Sequence, residues 1–428
     1  MFTRASPLLA VLICFAFWPA SVAAYSVLSH EAIIDSAWDN NLKPLLLKRF
    51  PDATAEELRE AHGYAYGGAI IQDMGYYPHG SMFFSDLAHY IRSGDFVAAL
   101  LRDSKDLNEY AFALGALAHY AADMEGHRLG TNRAVPVLYP KLQKKHGDSV
   151  TYEDDPLAHV KTEFGFDVLE VAKQRYAPES YHDFIGFQVA VPLLEEAFRE
   201  TYGLDLRKVL SNEDKVIGSY RRDVSNLIPR ATRVAWSLKE KEIEKDVPGI
   251  TRRKFLYNLS RSSYEREWGK EYQRPTFWDR FLAFLYRILP KVGPLRVLQL
   301  KTPTPETERM FQESFNATMD RYRKLIREEG DGHLRLANDN FDVGEPTPPG
   351  NYRMNDDAHA KLLDKLAEQN FAAVSPELRA ELLTFFRDPN APYATKRKPK
   401  EWSRVEAELR QLKSSTPQPV SAETIPAP

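Results

Sequence analysis

His119, Asp123 and His127 recur at every fourth position in HYAADMEGH, and His159 and Glu163 repeat the step in HVKTE. A residue advances about 100° around a helix axis, so a step of four leaves successive side chains about 40° apart on one face. The pattern commits both stretches to helix and sets five imidazole and carboxylate groups on two helical faces. Imidazole with carboxylate suits zinc, and with no cysteine in the set a hydrolytic site is expected rather than a thiolate structural one.

A lone His-x-x-x-Asp is often a solvated pair on a surface helix, and His119 by itself reads equally well as a core histidine. The set of five is harder to explain that way. His119 follows Ala111, Ala113, Gly115, Ala116 and Ala118, small residues that let neighbouring helices approach. His119 and Asp123 are therefore expected to be buried, at a cost of roughly 2–7 kcal/mol for each unpartnered polar group. A bound metal removes that cost. Asp73, in GGAIIQDMGYYP, and His89, in FFSDLAHYIRSGDF beside Asp86 and Arg92, are two more candidates. His79 competes with His89, which is preferred because it lies on a regular helical pattern. Nine of the eleven histidines fall between His30 and His182, so the chemistry belongs to the N-terminal part.

Apolar residues at three-and-four spacing make this region helical in HEAIIDSAWDNNL, ATAEELREAHGYAYGGAII, DLNEYAFALGALAHYAADMEGH and HVKTEFGFDVLEVAKQRY. Breaks are expected at Gly75 to Gly80 and over a long loop from Gly130 to Asp155. Amphipathic patterns continue from Pro192 to Glu329. FWDRFLAFLYRIL, Phe277 to Leu289, is the most apolar part beyond the N-terminus; Arg280, Arg287 and Pro290 exclude a spanning helix. It is read as packing on the catalytic helices, with peripheral membrane contact as the alternative. FDVGEPTPPGNYR reads as a connector, Asp356 to Phe386 as two more helices, and the tail from Ser414 as disordered.

At the N-terminus Arg4, an apolar run from Leu8 to Trp18, and Val22, Ala23 and Ala24 have the order of a cleaved secretory signal. A secreted or periplasmic protein beginning at Tyr25 is expected. The only cysteine, Cys14, lies in that signal, so stability must come from a large core and bound metal. The net charge of −3 gives no overall attraction to nucleic acid or anionic lipid.

In order, a mature N-terminal aromatic, His30, Asp73, His89, His119 with Asp123, His127, and His159 with Glu163 resemble the zinc-dependent phospholipase C family. The chain is also similar to the catalytic domain of glycosylphosphatidylinositol-specific phospholipase D and, more distantly, to single-strand-specific fungal nucleases. The resemblance covers about Tyr25 to Tyr176. It implies an all-α, multi-helical bundle, here with additional C-terminal helices, and three zinc ions. The Tyr25 amine and carbonyl, His30 and one oxygen of Asp123 would hold one ion. Asp73, His89, His119 and the other Asp123 oxygen would hold a second, and His127, His159 and Glu163 a third. Zinc lowers the pKa of bound water to about 7, so hydroxide can attack phosphorus at neutral pH; Asp73 is given the role of orienting it or taking its proton. Bacterial phospholipases carry tryptophan where Tyr25 stands, and the short step from Asp123 to His127 is similar to the phospholipase D relative.

The expected organisation is a signal at 1–24, a phosphodiesterase catalytic domain at 25–200, a helical extension at 201–340, a connector with terminal helices at 341–413, and a tail at 414–428. Phospholipid is the expected substrate. A single-strand-preferring nuclease using Tyr76, Tyr77, Arg128 and Lys141 to Lys145 around the same cluster is the rival reading, and a noncatalytic zinc-binding or membrane-associated helical protein is the third.

Overall fold

The computed structural model describes residues 27–77, 79–173, 175, 188–210, 213–222, 241, 244–245, 248–249 and 301–415. Among them the regular structure is helical, with no strand and one isolated bridge between Asn340 and Glu345. The helices are α1 (Val27–Ala37), α2 (Lys43–Arg49), α3 (Ala55–Ala69), α4 (Met82–Tyr90), α5 (Ser93–Asp103) and α6 (Leu107–Glu125). Then come α7 (Asn132–Leu138), α8 (Pro140–His146), α9 (Pro156–Ala172), α10 (Val191–Tyr202), α11 (Leu206–Val209) and α12 (Glu213–Arg222). The last four are α13 (Pro305–Gly330), α14 (Arg353–Glu368), α15 (Pro376–Phe385) and α16 (Pro399–Ser414). No described helix is long and apolar enough to cross a membrane.

Local chemistry explains where these helices begin. Thr54 and Glu57 form a reciprocal capping box that starts α3. The Asp106 carboxylate accepts the Glu109 N–H at the start of α6. Proline occupies the first turn of α8, α10, α13, α15 and α16, where its missing N–H has no helical partner to lose.

The core is organised by the crossing of α3 and α6. A Cβ on Gly68 would lie 1.9 Å from the Phe112 carbonyl oxygen, and one on Gly115 would lie 2.1 Å from that of Ala65. Only glycine permits this approach. α13 packs along α6, where Tyr322 donates to the Leu114 carbonyl at 2.8 Å and Arg321 reaches the Glu125 carboxylate at 2.9 Å. A strap formed by residues 337–345 then lies across α4, α5 and α6. Tyr120 Oη both donates to the Ala337 carbonyl and accepts its N–H, each at 3.1 Å. Ser93 Oγ donates to the Asp339 carbonyl at 2.6 Å, and the Phe341 N–H donates to the His89 carbonyl at 3.1 Å. Gly344 closes the strap with φ +74° against the Met124 carbonyl, a position where a side chain would be both strained and obstructed.

Three expectations change. The stretch Gly130 to Asp155 is not one long loop: it holds α7 and α8, which Pro136 and Pro140 keep too short to show a periodic apolar face. His127 does not extend the face of His119 and Asp123, because α6 ends at Glu125 and a π turn over Gly126–Thr131 carries His127 onward. FDVGEPTPPGNYR is more than a connector, since Phe341 and Asp342 are buried against histidines. The signal segment, Tyr25, and Phe277 to Leu289 lie outside the described residues.

Candidate metal centre

His30 comes from α1, Asp73 from a 3-10 turn at Ile71–Tyr76, His89 from α4, His119 and Asp123 from α6, His127 from the π turn, and His159 and Glu163 from α9. All eight are almost completely buried. Asp73, His89, His119 and Asp123 form one group of converging donor atoms, and His127, His159 and Glu163 form another; within each group those atoms lie within 4.8 Å of one another. His79, at a positive φ of 67°, is exposed, so the structure brings His89 rather than His79 to the cluster.

Asp123 joins the parts. Its Oδ1 faces His30 Nε2 at 3.6 Å, while its Oδ2 faces His119 Nε2 at 3.0 Å and His89 Nε2 at 3.3 Å. Asp73 Oδ1 lies 3.3 Å from the same His89 nitrogen. In the second group Glu163 Oε1 lies 2.8 Å from His159 Nε2 and 3.6 Å from His127 Nε2. A tetrahedral zinc with bonds of about 2.0–2.1 Å holds its ligand atoms roughly 3.4 Å apart, so these spacings fit one ion between each set of facing atoms.

Hydrogen bonding gives a second test of fit. The Nε2 atoms of His89, His119 and His127, and both carboxylate oxygens of Asp73, Asp123 and Glu163, have no hydrogen-bond partner among the described residues. Both ring nitrogens of His159 share that condition. Unpartnered buried polar atoms are rare and costly, and here they point at one another. The opposite ring nitrogens are held: His119 Nδ1 lies 2.9 Å from the Ala69 carbonyl, His89 Nδ1 2.8 Å from that of Ser85, and His127 Nδ1 3.2 Å from that of Phe341. A carbonyl can only accept, so each Nδ1 carries the proton and each Nε2 lone pair turns inward.

Electrostatics lead to the same conclusion. Burial and the neighbouring His119 push His30 well below its ordinary pKa, and burial with His127 beside it takes His159 down to about 3. Burial opposes protonation of His89 too, but Asp123 and Asp73 raise it to about 10. Although burial works the other way, His119 and His89 hold Asp123 well below the carboxylate range, while burial lifts Glu163 well above it. Without a cation the cluster contains both stranded protons and stranded charges. A divalent ion among them removes the conflict.

Aromatic side chains enclose the centre. The Tyr76 ring lies 5.8 Å from His89 and 6.2 Å from Tyr152, and Tyr152 stands edge-on to His159 at 5.7 Å. Of the basic residues tied to the nuclease reading, Arg128 is paired with Glu125 at 2.6 Å. Asp342, which no spacing in the sequence marks, faces His127 Nδ1 at 3.3 Å. A single aspartate in a Gly- and Pro-rich stretch has no periodicity by which it could be found.

A bundle of helices surrounds two buried His/Asp/Glu groups that could each hold a metal ion. Residues 29–212 match the family model described as zinc dependent phospholipase C. The match supports a zinc-dependent hydrolase, phospholipid being the substrate class of the matched family. No curated protein and no solved structure matches the chain.

Proposed function

We propose that the protein is an exported zinc-dependent phosphodiester hydrolase of the phospholipase C type with three metal positions. The observation that supports this most strongly is the bridge at Asp123, whose two oxygens face different histidines at ligand spacing. Asp73, His89, His119 and Asp123 Oδ2 would hold one ion, and His127, His159 and Glu163 another. His30 and Asp123 Oδ1 would hold the third together with the Tyr25 amine and carbonyl freed by cleavage after Ala24.

Zinc bound in such a centre supplies Lewis acidity toward phosphoryl oxygens and water acidic enough to react at neutral pH. The chain's own part is positioning. Asp73 Oδ2, the oxygen not turned toward His89, can orient the attacking water and accept its proton. Tyr76 and Tyr152 wall the centre and keep bulk water from competing. His127, His159 and Glu163 offer three protein atoms, which leaves room for the departing oxygen of the substrate beside them.

The test is zinc content and turnover on protein whose first residue is Tyr25, beside a version with one extra residue before it. Three zinc ions and release of phosphorylated headgroup from a choline phospholipid analogue, both reduced in the extended version, are expected. Release of free headgroup would assign cleavage on the other side of the phosphate. Hydrolysis of single-stranded DNA without any of phospholipid would replace this reading with the nuclease, and full zinc occupancy without turnover would make the site structural.

A further inference from the structure

His127 differs from His89 and His119 in that its Nδ1 faces a carboxylate as well as a carbonyl, and both come from the strap. Its Nδ1 lies 3.3 Å from Asp342 Oδ1 and 3.2 Å from the Phe341 carbonyl. Asp342 is itself held rigidly. Its Oδ2 accepts from Tyr90 Oη at 2.8 Å and from Tyr352 Oη, its N–H donates to Asn340 Oδ1 at 2.9 Å, and its carbonyl accepts from Asn132 Nδ2 at 2.7 Å. The side chain is almost wholly buried. Phe341 reaches the other group as well: its ring stands edge-on to His89 at 5.3 Å, and its N–H donates to the His89 carbonyl. The strap thus contacts a histidine of each group, although it lies more than a hundred residues beyond the matched segment.

We propose that Asp342 is a positioning residue for metal at the His127, His159 and Glu163 group, so that the C-terminal part of the chain completes the centre; this rests on the three-metal reading above. The need arises from the π turn. His127 leaves the α6 spiral just before its side chain must be aimed, so the helix alone does not fix the ring. The carboxylate anchors Nδ1–H, sets the ring plane and leaves the Nε2 lone pair directed at Glu163. A carboxylate behind a ligating histidine also increases its basicity, and loss of such a partner typically weakens metal binding 10–100-fold.

The experiment uses the full chain as wild type, Asp342→Ala, Asp342→Asn, Tyr352→Phe, His127→Ala and the Asp342→Ala/His127→Ala double variant. Zinc per chain is measured after dialysis against graded chelator, and melting temperature is measured with and without metal. Wild type should retain three ions. Asp342→Ala should lose one of them at roughly 10–100-fold lower chelator, keep the other two, and melt as wild type does once both are stripped. Asparagine retains an acceptor at Oδ1 and should restore most of the retention, Tyr352→Phe should fall between, and Asp342→Ala should add nothing to His127→Ala. Retention of all three ions by folded Asp342→Ala overturns the proposal, as does parallel loss of every ion with a lowered metal-free melting temperature. Should the alanine variant not fold, wild-type retention by both Asp342→Asn and Tyr352→Phe overturns it. A wild type that binds no zinc instead sinks the three-metal reading itself.

Discussion

At the residue scale, Asp123 turns the two oxygens of one carboxylate to three histidines, so its loss should differ in kind from the loss of any other proposed ligand. Asp123→Ala is expected to reduce zinc by two ions per chain and activity by more than about 100-fold, the range reached when even an outer partner of a ligand is removed. Glu163→Gln should reduce zinc by one, and metal analysis of the two purified variants distinguishes them. Asp86 makes a prediction about pH. Burial raises its carboxyl to about 7 from an ordinary 3.8, against the opposing pull of His89 and Lys361. The unfolded chain releases this proton near pH 4 while the folded chain keeps it, so metal-free protein should lose stability as pH rises from about 4 to 7. Asp86→Asn should remove that loss, stabilising metal-free protein at pH 7.5 by up to about 4 kcal/mol in a denaturant titration. With zinc bound the difference should shrink, because nearby cations favour the carboxylate. The steps of four made His119, Asp123, His159 and Glu163 legible in advance, since a regular helix turns spacing into proximity. Asp342 was not legible, because a turn gives spacing no such meaning.

At the element scale, the crossing of α3 with α6 places His119 where the Ala69 carbonyl can hold its ring. Gly115→Ala would drive a methyl group into the Ala65 carbonyl. A loss of about 1–3 kcal/mol by overpacking is expected, accompanied by weaker zinc retention as α6 shifts away from Ala69. Thr54→Ala is the useful contrast: it breaks the capping box at the far end of α3 and should cost about 1 kcal/mol with zinc content unchanged. Both are measured by thermal melting beside metal analysis. The small residues before His119 announced this close approach, because glycine and alanine at helical spacing have few other uses. The π turn went unforeseen: Gly126 and Gly130 weaken an α-helix there without specifying a wider turn, which reflects what surrounds it. α7 and α8 were likewise hidden, being too short for periodicity to show.

At the scale of the whole molecule, the centre draws its side chains from six separate elements, so metal and fold should be strongly linked. Burying these carboxylates and imidazoles without a cation leaves most of their inward atoms without partners. Zinc at about 1,000 times its dissociation constant contributes about 4 kcal/mol per ion, and in a chain of this size each kcal/mol shifts the midpoint by about 2–4 °C or somewhat less. Dialysis against chelator should therefore lower the melting temperature by about 10 °C or more, with recovery on adding zinc. An unchanged melting curve would mean that the cluster stands without metal. The all-helical class was legible from periodicity along the chain. That α13 and the strap close over the N-terminal helices was not, because amphipathic faces reveal that they are covered without revealing by what.

The placement of the strap has a consequence for how the protein comes into being. Translation proceeds at about 5–20 residues per second, so Asp342 is synthesised roughly 10–40 s after Glu163, the last of the ligands. During that interval every proposed ligand side chain exists, yet the proposed clasp on His127 does not. A product cut short by premature termination, or clipped between α12 and α13, would carry every proposed ligand while lacking Asp342. Competence then waits on synthesis passing residue 342, well beyond the last proposed ligand, so the same geometry that aims one histidine also delays the centre's assembly.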